Sequence, residues 1–200
     1  MQKGFTLWFT GLSGAGKTTI STIVEQQLRG RGLNVEALDG DVVRTHLSKG
    51  LGFSKEDRDT NILRIAFVCK LLTRNGVATL ASAISPYREI RDQARSEIGN
   101  FIEVYVKCSL EECVKRDVKG LYEKALRGEI ANFTGVSDPY EEPLNPELVI
   151  DTCTESPEES ASRVIGCLHD LGYLADREPV FSLDADSLVP GTAAQPGRGG

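Results

Sequence analysis

Gly11-Leu12-Ser13-Gly14-Ala15-Gly16-Lys17-Thr18 decides how the rest of the chain is read. It follows the apolar run Phe5-Thr6-Leu7-Trp8-Phe9-Thr10 and opens onto Thr19-Ile20-Ser21-Thr22-Ile23-Val24. Strand, glycine loop and helix form the context in which G-x-x-x-x-G-K-[ST] signifies a P-loop. The glycines let consecutive backbone N–H groups turn inward around a phosphate, and the following helix aims its positive end at the same anion. Lys17 is placed to reach the β/γ-phosphates and the Thr18 hydroxyl to ligate Mg²⁺. Chance alone gives this pattern in about one chain in a hundred of this composition, and the flanking strand and helix lower that further. The stretch is a nucleotide-phosphate site rather than an incidental glycine-rich turn.

Outward from the loop, composition sets limits. Two hundred residues suit one α/β domain with a sizeable core. A net charge of −6 argues against a nucleic-acid-binding surface. No apolar run approaches the length of a membrane span, and no signal peptide precedes the first strand, so a cytoplasmic protein is expected. The five cysteines are odd in number and include no C-x-x-C pair, which reads as reduced thiols. Two histidines do not make a zinc site.

The first helix is predicted from Lys17 to Gly30 and a second strand over 33–38, ending in Asp39-Gly40-Asp41 with Arg44 beyond. Ligands of open parallel sheets bind at carboxyl ends of strands, which favours a functional Asp-Gly-Asp over ordinary turn chemistry. Ser54-x-x-Asp57 reads as a capping box for a long helix with Ile62, Ile65, Ala66, Cys69 and Leu72 on its buried stripe, and Arg58, Asn61 and Arg64 on one side. Several arginines near an aromatic suit a doubly charged anion. A third strand, 77–83, leads to Ile84-Ser85-Pro86-Tyr87-Arg88, where Ser85 is a plausible N-cap with Pro86 after it. No Asp ends that strand, so a Walker-B carboxylate is missing and Asp39 and Asp41 are its nearest substitutes. A buried strand at 101–107 and a short helix at 110–117 follow. The polar, glycine-punctuated 127–135 resembles a lid loop. Strand 148–151 and a helix capped by Ser156, Pro157 and Glu159 complete the core. Residues 175–200 have linker composition, so the domain is set at 1–174 with a poorly ordered tail. The expected fold is α/β, a doubly wound five-stranded parallel sheet of the P-loop, nucleoside-monophosphate-kinase-like type with a lid.

These motifs together resemble the adenylyl-sulfate kinase family. The resemblance is carried by the P-loop, Leu38-Asp39-Gly40-Asp41-Val42-Val43-Arg44, Leu51-Gly52-Phe53-Ser54 and Ile84-Ser85-Pro86-Tyr87-Arg88. Arg116-Asp117-Val118-Lys119-Gly120-Leu121-Tyr122 and Asn132-Phe133-Thr134-Gly135 through Asp138-Pro139-Tyr140-Glu141 extend it, in order, across residues 3 to 174. It implies phosphorylation of adenosine 5′-phosphosulfate by ATP with Mg²⁺. By that resemblance Gly11, Leu12, Ser13, Gly14, Ala15, Gly16, Lys17, Thr18 and Thr19 hold ATP, with Arg116 and Cys153 near its base and Thr18 on the metal. Asp41 is the proton acceptor, and Asp39 positions the metal's water shell. Arg44, Arg58 and Asn61 bind the phosphosulfate, Phe53 and Phe133 stack on the substrate adenine, and Ile84, Ser85, Lys119 and Asn132 complete the pocket. The family is described with a phosphoserine at Ser85, the nominal catalytic residue. Phosphoryl-transfer physics does not require it, and direct transfer is expected. A homodimer is implied, as is fusion to or cooperation with a sulfate adenylyltransferase. Two alternatives stand beside this one: another small-molecule P-loop kinase, and a catalytically silent, partner-binding P-loop domain.

Overall fold

Alternation along β1 (Phe5–Thr10) divides the core in two. Phe5, Leu7 and Phe9 belong to one apolar cluster and Trp8 to the other, as the two-residue period of a strand requires. Parallel strands buried on both faces need helices on both sides, and the chain supplies them. The structure, a computed structural model, describes residues 2–175. All but the first residue of the expected tail therefore lies outside the described residues.

The sheet order is β2 (Val35–Asp39), β3 (Ala78–Ser82), β1, β4 (Phe101–Lys107) and β5 (Leu148–Asp151), all parallel. Helices α1 (Lys17–Gly30) and α7 (Pro157–Asp170) cover the first face through Ile20, Val24, Leu28, Val164 and Leu168. Helices α3 (Lys55–Arg74) and α4 (Arg88–Ile98) cover the second, where Ile62, Ile65, Ala66, Cys69, Ile90 and Ala94 pack on Trp8 and Ala81. Leu72, expected on the buried stripe, is only half-buried. Thr73 takes the interior place, bonding the Thr6 hydroxyl at 2.7 Å. Short helices α2 (Gly40–His46), α5 (Leu110–Arg116) and α6 (Leu121–Leu126) sit at the carboxyl end of the sheet. The sequence pattern predicts no helix over 121–126, where α6 stands before the expected lid.

The caps expected at Ser54 and Ser156 differ. At α7, Ser156 Oγ accepts from Glu159 N and Glu159 returns the bond to Ser156 N at 2.8 Å, a complete capping box. At α3, Ser54 accepts from Asp57 N, but the shorter Asp57 side chain accepts instead from Gly52 N at 3.0 Å. Half of the predicted box is thus redirected into fixing the loop that carries Phe53.

With β1 central, and β2–β3 and β4–β5 on its two sides, the connections diverge above the carboxyl end of β1. This switch point is where a crevice opens. No helix among the described residues is long and apolar enough to cross a membrane.

Candidate active site

The crevice holds a cavity of about 400 Å³ with the P-loop at one end. Ser13, Gly14, Gly16, Lys17, Thr18 and Thr19 line it. Gly11 has φ 145°, and a Cβ there would lie 2.3 Å from the Val106 carbonyl oxygen, so only glycine lets the loop leave β1 at this angle. Gly16 precedes α1 in the left-handed region at φ 101°. Lys17 Nζ donates to the Gly11 and Leu12 carbonyls at 2.9 and 2.8 Å. Burial pushes its ammonium pKa down to about 8, against partial support from Cys113, Asp39 and Asp41.

Asp39 joins the P-loop to the next strand. Its Oδ2 accepts from Thr18 Oγ1 at 2.8 Å, while its Oδ1 caps α2 by accepting from Asp41 N at 2.9 Å. Gly40 between them passes under Ser82, whose carbonyl oxygen would meet a Cβ at 2.9 Å. Asp41 is exposed at the cavity mouth, where Lys119 from the α5–α6 connection pairs with its carboxylate. A hydroxyl and a carboxylate in contact are hard oxygen donors, a set that fits Mg²⁺ carrying most of its own water. Among the described residues, no group of three or more His, Cys, Asp or Glu could hold a metal.

The far wall is aromatic and cationic. Arg44 lies 4.4 Å from the Phe53 ring centroid and Arg58 5.8 Å from it. Burial, with Arg58 nearby, holds the Arg44 guanidinium below its ordinary range. Arg58, expected as an anion contact, is a strut in this structure. Its Nε donates to the Phe53 carbonyl at 2.9 Å, Nη1 to Thr134 Oγ1 at 2.7 Å, and Nη2 to the Asn132 carbonyl. Asn61 is buried, lines the cavity, and its Oδ1 has no hydrogen-bond partner among the described residues. A buried acceptor left unpaired is the usual mark of a missing donor. Phe133 reaches the cavity from the lid, its ring edge-on to Tyr122 at 5.0 Å.

Ile84, Ser85 and Pro86 form the third side. Ser85 is not the N-cap of α4. That helix begins at Arg88, Tyr87 occupies the cap position without a side-chain bond, and Glu141 Oε2 accepts from Arg88 N at 2.8 Å. Ser85 instead stands at φ 42° with its hydroxyl turned inward. It accepts from Trp8 Nε1 at 3.0 Å and donates to Thr10 Oγ1 at 3.0 Å. Thr10 in turn donates to the Ile84 carbonyl at 2.8 Å and lies 2.9 Å from the Tyr140 hydroxyl. Burial raises the Tyr140 pKa, so this chain of hydroxyls is neutral at physiological pH.

Several expected residues lie elsewhere. Ala15 is buried beneath the loop, and Asn132 is exposed, its backbone in the left-handed region. Arg116 flanks the P-loop from outside: Nη2 donates to the Thr152 carbonyl at 2.7 Å, and Thr152 Oγ1 donates to the Ala15 carbonyl at 2.9 Å. Cys153 is exposed, its Sγ 3.8 Å from that of Cys108, and with Leu12 it lines a separate cavity of about 820 Å³. Trp8, Thr10, Thr134 and Tyr140 stand in the sequence motifs, but sequence alone gives them no role in the site. Thr10, a hydroxyl in an apolar strand one residue before the P-loop, was the available signal.

A parallel sheet with a P-loop at its switch point, an acidic pair ending the next strand and a lid over an aromatic pocket define a P-loop kinase. The profile of the adenylylsulphate kinase family matches residues 3–151, and the chain belongs to that family. It is 63% identical over 174 residues to an adenylyl-sulfate kinase of Rippkaea orientalis, covering 87% of this chain and 96% of the relative. A probable bifunctional SAT/APS kinase of Sorangium cellulosum is 55% identical over 176 residues, which are 88% of this chain and 30% of that one. Among solved structures, the APS kinase of Mycobacterium tuberculosis in complex with AMPPNP and APS superposes with a TM-score of 0.81 at 42% identity. That match covers 84% of this chain and 99% of the other.

Proposed function

We propose that the chain transfers the γ-phosphoryl group of ATP to the ribose 3′-hydroxyl of adenosine 5′-phosphosulfate. The products are ADP and 3′-phosphoadenosine 5′-phosphosulfate. The observation that carries this is one cavity with two unlike ends, a P-loop at one and the Arg44–Phe53–Arg58 wall at the other, with Asp41 and Lys119 at its mouth. The high-identity adenylyl-sulfate kinases support the choice of acceptor.

The P-loop amides and Lys17 bind the ATP phosphates. Thr18 and Asp39 would hold Mg²⁺, which when bound offsets charge on the phosphates. Phe53 and Phe133 flank the acceptor adenine, Arg44 faces the phosphosulfate, and Asn61 Oδ1 accepts from a donor on the acceptor. Asp41 takes the 3′-hydroxyl proton as the new O–P bond forms and the bond to ADP breaks, a proton transfer worth about 10²–10⁴ in rate. Arg116 and Cys153 border the ATP base. Closure of 127–135 keeps water from competing as acceptor.

Transfer is direct. Ser85 Oγ has Trp8, Thr10 and the Ala83 carbonyl as neighbours, none of them a base that would make it a nucleophile. The same reading takes residues 1–174 as the kinase domain with the remainder a tail or linker, the chain as a homodimer, and a cytoplasmic location consistent with five unpaired cysteines. The bifunctional relative supports cooperation with a sulfate adenylyltransferase.

The test is an ADP-release panel offering adenylyl sulfate, AMP, gluconate and other alcohols. Adenylyl sulfate should dominate, with a product one phosphoryl group heavier. Preference for another alcohol refutes the acceptor, and release with none refutes the kinase reading.

A further inference from the structure

Arg91 sits outside the cavity, yet it holds two of the segments that shape it. Its side chain is 2% exposed and ion-paired to Glu103 of β4, whose side chain is 7% exposed. Nε donates to Glu103 Oε1 at 2.8 Å, Nη1 to the Ser85 carbonyl at 2.6 Å, and Nη2 to the Glu141 carbonyl at 2.7 Å. Each of its three nitrogens thus serves a different segment: strand β4, the acceptor-side turn and the chain leaving the lid.

A left-handed backbone at a residue other than glycine persists only where its surroundings over-determine it. At Ser85 the side chain is fixed by Trp8 and Thr10, and the carbonyl by Arg91. The segment after the lid is fastened to the same turn. Glu141 N donates to the Pro86 carbonyl at 2.8 Å, and Arg88 Nε to the Glu142 carbonyl at 2.7 Å.

We infer that Arg91, oriented by Glu103, is a positioning residue for the phosphoryl acceptor, locking the Ile84–Pro86 wall to the fixed end of the lid. Lysine cannot reproduce this, because one ammonium does not span three acceptors in a planar fork. The inference rests on the proposal that the Ile84–Pro86 side of the cavity receives adenylyl sulfate.

The experiment compares steady-state kinetics of the wild-type chain, Arg91→Lys and the double variant Arg91→Met with Glu103→Leu. Apolar residues of similar volume in place of a buried ion pair commonly preserve folding. In both, KM for adenylyl sulfate should rise at least tenfold, with the lysine variant the milder. KM for ATP should stay within twofold, since no Arg91 bond reaches the P-loop. A merely structural role would raise both constants together or neither. Either result in the folded double variant, confirmed by an unchanged far-UV spectrum, overturns the inference. If that variant does not fold, Arg91→Lys decides alone by the same split. A wild-type chain inactive on adenylyl sulfate overturns the acceptor reading, and the inference with it, and differs from an active wild type with indifferent variants.

Discussion

Lys17 gives the sharpest quantitative test of the phosphate site. In the free chain its ammonium has two neutral carbonyls as partners, and burial brings its pKa to about 8. A bound triphosphate favours the charged form and returns the pKa to the ordinary lysine range of about 10.4 or above. Binding therefore takes up a proton wherever the free chain has lost one. The fraction of free chain still charged is about one half at pH 8 and about one eleventh at pH 9, so uptake rises from about 0.5 to about 0.9 proton. The sign is fixed. Raising the pH depletes the form that binds, and affinity for a non-hydrolysable ATP analogue falls about tenfold between pH 7 and 9, or about 1.4 kcal/mol. Isothermal titration calorimetry in two buffers of different ionisation enthalpy measures the uptake directly. In Lys17→Met binding should be weak at every pH and the proton uptake lost. A wild-type affinity flat from pH 7 to 9 with no uptake would refute the assignment of Lys17 as a buried, phosphate-recharged cation.

Asp41→Asn should bind ATP as the wild type does while turnover falls about 10²–10⁴-fold, the usual range for a lost general base; rapid-quench turnover near wild type removes Asp41 from the chemistry. Ser85→Ala leaves the buried Trp8 Nε1 without its acceptor and should cost about 1–3 kcal/mol in chemical denaturation, yet retain turnover within about tenfold. Detection of a chain-bound phosphoryl group at Ser85 by intact mass during turnover would instead support double displacement. Gly40→Ala places a Cβ 2.9 Å from the Ser82 carbonyl, a backbone atom that cannot step aside, and should separate Asp39 from Thr18. A loss of about 1–3 kcal/mol with a raised Mg²⁺ requirement is expected, and unchanged values in both assays refute the role given to that contact.

The fold was legible because its signals are periodic and local. The apolar run Phe5–Thr10, the helix predicted from Lys17 to Gly30 and the Ser54 start of the long helix each report a backbone geometry that neighbouring residues impose. The errors came where a side chain had two possible partners. Asp57 was read as returning a bond to Ser54, but it reaches Gly52 N instead. Ser85 was read as a cap because Pro86 follows it. Its hydroxyl is claimed by Trp8 and Thr10, 77 and 75 residues away in sequence, and the helix start is served by Glu141. Sequence spacing cannot rank a local acceptor against one that arrives only when β1 and β3 pair.

The site shows the same division more sharply. Residues proposed to meet ligand through the backbone or a single side chain, from Gly11 to Thr18 and at Asp39 and Asp41, stand in short contiguous motifs that the sequence exposes. Residues that shape the pocket by holding other residues do not. Arg58 was legible as a cation near an aromatic, but its work as a strut to Thr134 and Asn132 spans 76 and 74 residues. Glu103 carried a signal of another kind. A carboxylate inside a strand buried on both faces is costly unless a cation meets it there, so its presence between Ile102 and Val104 already demanded a buried partner. Arg91 is that partner, and the ion pair spends only one of its three nitrogens. The other two are free to fix Ser85 and Glu141, which makes a charge in the core the reason that a wall of the cavity stands where it does.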